Sequence, residues 1–87
     1  TIRNLAREQE VRGWLGIADS RLSFFAADLM SDDGWADAVA GCRHVAHVAS
    51  PLPSNAPTRD DDLIIPAREG ALRALRFAHA AGVKRLV

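Results

Sequence analysis

The sequence predicts an α/β fold built on a parallel sheet, and three observations support this prediction. Short apolar runs alternate with segments of helical periodicity along the 87 residues. The three helical segments end near Gly16, Gly41 and Gly82, and glycine is the residue that most often follows a helix. The order is β-α-β-α-β-α-β, and a strand followed by a helical crossover pairs in parallel with the next strand.

Each element is predicted from a local pattern. Asn4 can cap the first helix, because its side chain can accept a backbone N–H of the first turn. The run RLSFFAA has two aromatic residues, and its short length favours a strand over a helix. The predicted strands are residues 1–3, 21–27, 43–49 and 83–87, and the predicted helices are residues 5–15, 31–40 and 58–81.

The last helix begins at Thr58 with a pattern that resembles a capping box, followed by three Asp residues that the positive helix end favours. Pro66 lacks the N–H of a helical residue, so we expect it to bend or loosen the first turns. We also expect Trp14 and Trp35 to pack, because both have apolar neighbours at helical positions. The buried stripe of the last helix is predicted to contain Leu63, Ala67, Ala71, Ala74, Leu75 and Ala78.

Composition indicates one small globular domain that spans residues 1–87. The chain is 48% hydrophobic and 25% charged, and its 11 basic residues balance 11 acidic ones. A balanced charge gives no overall attraction to nucleic acid or to an anionic membrane, so neither is expected as a partner. No apolar run approaches the length of a membrane span, and a single cysteine cannot form an internal disulfide. These features favour a cytoplasmic protein.

Arg3 ends the first predicted strand, at the position where a dinucleotide-binding sheet contacts the adenosine ribose. An acidic residue there would bind the free hydroxyls of NAD, whereas an arginine suits the 2'-phosphate of NADP. The residue therefore favours NADP, with NAD as the alternative. The competing interpretation is a solvated arginine that precedes a helix.

Two further strand ends carry candidate cofactor-binding residues. Asp28 could accept a hydrogen bond from the adenine amino group while Leu29 covers the edge of the ring, although an Asp often simply begins a turn. Val48 and Ala49 would let a cofactor approach the backbone, and Ser50 offers a hydroxyl to ribose or phosphate. The competing interpretation of this segment is a strand that ends in a Ser-Pro turn.

No metal site is predicted. Cys42, His44 and His47 are suitable zinc ligands, but residues 44 and 47 of a strand point to opposite faces. The three consecutive Asp residues at 60–62 fan out around a helix and are better explained by its dipole. No Gly-x-Ser-x-Gly elbow is present either.

The ordered motifs of the chain resemble the extended short-chain dehydrogenase/reductase family, which includes NAD-dependent epimerases and dehydratases. Within that family the chain is similar to the dihydroflavonol-reductase-like branch of NADP-dependent carbonyl reductases. The resemblance covers essentially all 87 residues. Its carriers are Thr1-Ile2-Arg3, Ala27-Asp28-Leu29, Gly41-Cys42, His47-Val48-Ala49-Ser50-Pro51, Ile65-Pro66 with Gly70, and Gly82-Val83-Lys84-Arg85-Leu86-Val87.

The resemblance implies an NAD(P)-binding Rossmann fold of which the chain forms the middle. It would place Arg3 on the 2'-phosphate, Asp28 and Leu29 around adenine, and residues 48–50 along the ribose and diphosphate. It also implies a carbonyl or alcohol substrate, and a homodimer that packs through the helix at residues 58–81.

Two departures from the family pattern bear on these expectations. Glu10-Val11 stands where this branch often has Lys-Val for the phosphate, although Arg7 and Arg12 could substitute. The family's glycine loop would precede Thr1 and its catalytic Ser and Tyr-x-x-x-Lys would follow Val87, so no catalytic residue is predicted here.

In the strand order 3-2-1-4-5, the first strand would lie between the strands at residues 1–3 and 43–49. We therefore expect the isolated chain to be unstable and inactive, with exposed strand edges. Two alternatives to an NADP-dependent reductase remain. One is a segment of a sugar-nucleotide epimerase or dehydratase that uses NAD, and the other is a non-catalytic NAD(P)-binding module.

Overall fold

The computed structural model describes residues 1–16, 20–51 and 59–87. A 3-10 turn at Leu5–Arg7 leads into the first α-helix, and two strands and two further helices follow. None of the helices in these residues is both long and apolar enough to cross a bilayer. The elements are α1 (Glu8–Leu15), α2 (Trp35–Val39), β1 (His44–Val45), α3 (Asp61–Ala80) and β2 (Arg85–Leu86).

The strands β1 and β2 pair in parallel, as the sequence predicts. His44 is opposite Arg85 and Val45 is opposite Leu86. The pairing continues beyond the formal strands, since the His47 N–H donates to the Val87 carbonyl at 2.7 Å and the Lys84 N–H donates to the Arg43 carbonyl at 2.9 Å. The α/β class and the parallel sheet are therefore confirmed, although each regular strand is shorter than predicted.

A second parallel contact joins the first two predicted strands. The Ile2 N–H donates to the Phe25 carbonyl, and the Ala27 N–H donates to the Ile2 carbonyl, both at 3.0 Å. This contact amounts to a single bridge between Ile2 and Ala26, so residues 1–3 and 21–27 form no regular strands.

No backbone hydrogen bond joins these two strand pairs within the residues that the structure describes. Thr1 from one pair and Val45 from the other instead line a cavity of about 330 Å³ between them. Arg43, Val45 and His47 bond toward β2. Because alternate residues of a strand bond to opposite sides, Ala46 and Val48 present their backbone to the other edge. The space between the two strand pairs lies where the predicted strand order 3-2-1-4-5 has another strand.

The core lies between α2 and α3. Trp35 and Val39 of α2 are buried, as are Ala74 and Ala78 of α3. The rings of Trp35 and Phe77 stack with centroids 6.5 Å apart and planes inclined by 21°. The small alanines of α3 allow the large indole of α2 to approach the helix closely.

The predicted stripe of α3 is only partly correct. The buried residues are Gly70, Ala74 and Ala78, whereas Leu63 and Leu75 are exposed together with Ala67 and Ala71. Residues 67, 71 and 75 lie about 60° around the helix from 70, 74 and 78. Both rows satisfy helical spacing, so periodicity alone did not identify the row that packs on α2.

The predicted cap and one of the two predicted tryptophan contacts are present in the structure. The Asn4 Oδ1 atom accepts the Ala6 N–H at 2.9 Å, which confirms the predicted cap. Trp35 packs, but the prediction for Trp14 is wrong, since Trp14 is 67% exposed beneath the Arg7 guanidinium. The helix α3 continues through Pro66. The capping pattern at Thr58 lies outside the described residues.

Gly34 precedes α2 and lies against the backbone of residue 26. Its φ is +81°, and a Cβ atom added there would be 2.0 Å from the Ala26 carbonyl oxygen. Only a glycine permits this approach, because both the left-handed backbone and the missing side chain are required. The contact sets where α2 begins relative to the strand pair at Ile2.

We predict that Gly34→Ala lowers the free energy of unfolding by at least about 3 kcal/mol, since a steric clash adds to the backbone strain. Gly41→Ala is the matched control, because Gly41 has φ +73° but nothing within 4 Å of an added Cβ. That control is expected to lose only about 1–2 kcal/mol. Urea denaturation of the full-length gene product measures the free energy of unfolding of both variants. Equal losses of stability in the two variants would contradict a steric clash at Gly34.

Candidate functional site

The residues that follow three parallel strand segments surround one cavity of about 430 Å³. Five of the six predicted site residues line it, namely Arg3, Asp28, Leu29, Ala49 and Ser50. Ligands of open α/β sheets bind at the carboxyl ends of the strands, and this cavity lies at those ends. Its volume is within the range of small-molecule sites.

The sixth predicted residue, Val48, does not line this cavity. It lines the neighbouring cavity between the two strand pairs, and it is 88% exposed. Ala49 lines both cavities, whereas Val48 points away from the first one, because consecutive residues of an extended chain point to opposite sides. Val48 is therefore the predicted site residue that the structure separates from the others.

Arg3 lies on the rim of the cavity and is exposed. Its guanidinium makes no ion pair or hydrogen bond with any residue in the described part of the chain. No described residue therefore competes with an anionic ligand for the donors of Arg3.

Arg7 and Arg12, the two possible substitutes for a phosphate-binding lysine, differ in whether they are free to bind a ligand. Arg12 is engaged, since it bonds to Glu8 and to the Leu22 carbonyl and stacks on Phe24. Arg7 lines the cavity, although its Nε–H donates to Glu10 at 3.0 Å. Of these two arginines, Arg7 is therefore the one that could support Arg3.

Asp28 forms the turn that its competing interpretation predicts. Its Oδ1 atom accepts the Met30 N–H at 2.9 Å, and its carbonyl accepts the Ser31 N–H at 3.1 Å. The same carbonyl accepts the indole N–H of Trp35 at 2.9 Å. The Oδ2 atom has no hydrogen bond to a described residue, so one oxygen is fixed by the turn and the other is available to a ligand.

Sequence reasoning missed two of the larger side chains that line the cavity. Trp35 was expected only to pack, yet it lines the cavity and also forms the core. Met30 lines the cavity as well. The position of Met30 directly after Asp28-Leu29 was the available signal, whereas nothing local to Trp35 indicated that its α2 position would reach a strand end.

Leu29 lines the cavity and also contacts α3. An added Cβ at Gly70 would lie 3.2 Å from the Cβ and Cδ2 atoms of Leu29. The Leu29 carbonyl accepts a hydrogen bond from Nη1 of Arg73. The helix α3 therefore holds this residue through both its side chain and its backbone.

Asp32 joins the same turn to α3 through two arginines. Its Oδ1 atom accepts from Nε of Arg73 at 2.6 Å and from Arg76 at 2.7 Å. The hydrogen bond from Arg73 is the main reason that the pKa of Asp32 lies below its ordinary value of 3.8. The positive charges of both arginines lower this pKa further, and partial burial opposes them.

The described residues contain no group of three or more His, Cys, Asp or Glu side chains arranged to hold a metal ion. The Cys42 thiol is directed to the Ala38 carbonyl at 3.6 Å. The cavity instead combines an arginine without an ion pair to a described residue, a carboxylate oxygen and apolar side chains, which suits an organic anion.

Comparison with known proteins identifies several plant reductases as relatives. The chain is 37% identical over 90 aligned residues to a dihydroflavonol 4-reductase of Hordeum vulgare, covering 100% of the chain and 25% of that protein. It is 35% identical over 90 residues to tetraketide alpha-pyrone reductase 1 of Arabidopsis thaliana, covering 100% of the chain and 28% of the relative.

Cinnamoyl-CoA reductase 1 of Oryza sativa subsp. japonica is 39% identical over 70 residues, covering 80% of the chain and 19% of that protein. The chain thus spans about a quarter of the length of the curated relatives that it matches in full. No family model matches the chain.

The ion pairs of Asp32 predict a pH-dependent contribution to stability. Because the pKa of Asp32 is lowered by folding, the contribution is present above the ordinary value of 3.8 and is lost as the pH falls through the lower folded-state pKa. We predict that Asp32→Asn lowers the melting temperature of the full-length gene product at neutral pH, and that this difference disappears in acid.

Asp37→Asn is the matched control, because Asp37 is an exposed carboxylate of α2 without an ion pair to a described residue. Its melting temperature should differ from that of the wild type far less than that of Asp32→Asn does, because the charge of Asp37 contributes through its position in the first turn of α2 and through no ion pair to a described residue. A difference for Asp32→Asn that persists unchanged in acid would contradict the role of the ionised carboxylate. High salt should also reduce the difference, since the pairs are partly exposed.

Proposed function

Because the chain belongs to the dihydroflavonol-reductase-like branch of the extended short-chain dehydrogenase/reductase family, we propose that it forms the adenosine-binding wall of an NADP(H) site in a carbonyl reductase. The convergence of Arg3, Asp28, Leu29, Ala49 and Ser50 on one cavity carries this proposal. The proposed site is part of a single NAD(P)-binding Rossmann domain that includes residues 1–87.

Arg3 supports NADP as the cofactor. Its exposed guanidinium has no partner among the described residues and stands on the cavity rim, where a 2'-phosphate could accept two of its hydrogen bonds. NAD has only a hydroxyl at this position and would leave the charge of Arg3 without a counterion. We therefore assign the preference for NADP to Arg3.

The opposite side of the cavity suits adenine. The free Oδ2 atom of Asp28 can accept a hydrogen bond from the exocyclic amino group, and Leu29 and Trp35 provide apolar contacts for the ring. Ala49 is small enough for a ligand to approach the backbone, and Ser50 adds a hydroxyl donor. Val48, in the neighbouring cavity, would contact the ligand only where it extends beyond the adenosine.

The proposed reaction is the transfer of hydride from NADPH to the carbonyl carbon of an aldehyde or ketone, or the reverse oxidation of an alcohol. The reductase names of the curated relatives support this reaction class. In this proposal the 87 residues bind and orient the adenosine end, and none of them donates the proton to the carbonyl oxygen.

Two alternatives use the same cavity. A sugar-nucleotide epimerase or dehydratase would use NAD, and a non-catalytic module would bind either cofactor without turnover. A cytoplasmic location and a homodimer through α3 stay predictions. Exposed Leu72 and Leu75 on α3 are compatible with a second subunit.

We predict that Arg3→Ala in the full-length gene product weakens NADPH binding about 10- to 100-fold. This range corresponds to the loss of hydrogen bonds to a charged group, worth about 1.5–3 kcal/mol. NADH binding should not change, because NADH lacks the 2'-phosphate. Titration calorimetry with both cofactors measures the difference.

Arg43→Ala is the matched control, since Arg43 is also exposed but lines neither of the two cavities described above. It should leave both affinities unchanged. A wild-type preference for NADH would contradict the NADP assignment and favour the epimerase or dehydratase. Equal weakening of NADPH and NADH by Arg3→Ala would place Arg3 away from the 2'-phosphate.

A further inference from the structure

A single guanidinium of α3 bridges the two ends of the turn that follows the second strand segment. Arg73 donates from Nη1 to the Leu29 carbonyl and from Nε to the Asp32 carboxylate, the latter at 2.6 Å. The Arg73 side chain is only 17% exposed, so its bond to the Leu29 carbonyl is partly sheltered from solvent, whereas the Asp32 carboxylate is 58% exposed. The planar fork of an arginine can satisfy both acceptors at once, which a lysine cannot do with the same geometry.

Gly70 contacts the side chain of Leu29. It lies one turn before Arg73 on α3, and residues three apart occupy the same helix face. Any side chain at Gly70 would press on Leu29, because an added Cβ is already 3.2 Å from two of its carbon atoms. The helix α3 thus fixes the backbone of Leu29 through Arg73 and its side chain through the contact with Gly70.

We propose that Arg73 is a positioning residue for the adenine side of the cofactor site. It does not line the cavity, whereas Leu29 does, so Arg73 acts by holding Leu29 and the preceding Asp28 at the strand end. This inference rests on the proposed function for the identity of the ligand. The position of the turn itself is independent of that identity.

Arg76 provides a matched control within the same cluster. It donates to the same Oδ1 atom of Asp32 at 2.7 Å, but its side chain is 61% exposed. No hydrogen bond joins Arg76 to Leu29 in the described residues. Removing Arg76 therefore weakens the charge cluster and leaves the hold on Leu29 intact.

The test compares Arg73→Met with Arg76→Met in the full-length gene product. Titration calorimetry gives the dissociation constants for NADPH and for 2',5'-ADP, which represents the adenosine end alone. Arg73→Met should weaken both ligands about tenfold, equivalent to about 1.4 kcal/mol, whereas Arg76→Met should stay within about twofold of the wild type.

Hydrogen exchange adds a readout without ligand. Arg73→Met should accelerate exchange at the amides of Met30 and Ser31, which bond to Asp28. Arg76→Met should leave the exchange rates of these two amides unchanged. A purely structural role would lower the melting temperature but leave the affinity of the folded protein for 2',5'-ADP unchanged.

Unchanged ligand affinities in folded Arg73→Met would overturn the proposal, and so would equal weakening by Arg76→Met. If Arg73→Met does not fold, Arg73→Lys replaces it, with an expected weakening smaller than tenfold. Wild-type affinity in that variant would also overturn the proposal.

If the wild type binds neither NADPH nor NADH, the proposed function fails separately. The exchange experiment then still decides the positioning role. An unaltered exchange rate at Met30 and Ser31 in Arg73→Met would overturn it.

Discussion

The side chain of Trp35 connects the helical core to the candidate site. One face of its indole stacks with Phe77 of α3, and its N–H donates to the Asp28 carbonyl at the strand end. The same ring lines the cavity. Because a buried indole requires both a packed surface and an acceptor, the start of α2 is fixed relative to α3 and to the turn at residue 28. Trp35 therefore links the site to the core, alongside the contacts of Gly34 and Arg73.

Small residues make that arrangement possible on the α3 side. Gly70 admits Leu29, and Ala74 and Ala78 are buried among the core residues that include Trp35. A larger residue at any of these positions would move the helix away from the turn. The close approach also brings Arg73 within reach of a backbone carbonyl, so packing and hydrogen bonding at the turn have a common origin.

The arginines near the site differ in whether they already bond to a protein acceptor. Arg12, Arg73 and Arg76 are all engaged with protein acceptors, whereas Arg3 has none among the described residues. A guanidinium without a partner at a strand end can bind an anion without first breaking a protein contact. This difference distinguishes the proposed binding arginine from structural ones of the same residue type and explains why net charge carried no information about the site.

The sequence by itself determined the parallel pairing of β1 with β2, and five of the six residues that it predicted for the site line one cavity, because strand ends and helix caps follow from local patterns. Only the tertiary structure decided which row of α3 is buried, since Leu75 and Ala74 fit the same periodicity. It also separated Val48 from the other site residues and brought Trp35 to the strand end. These outcomes depend on contacts between residues distant in the chain, which local periodicity does not encode.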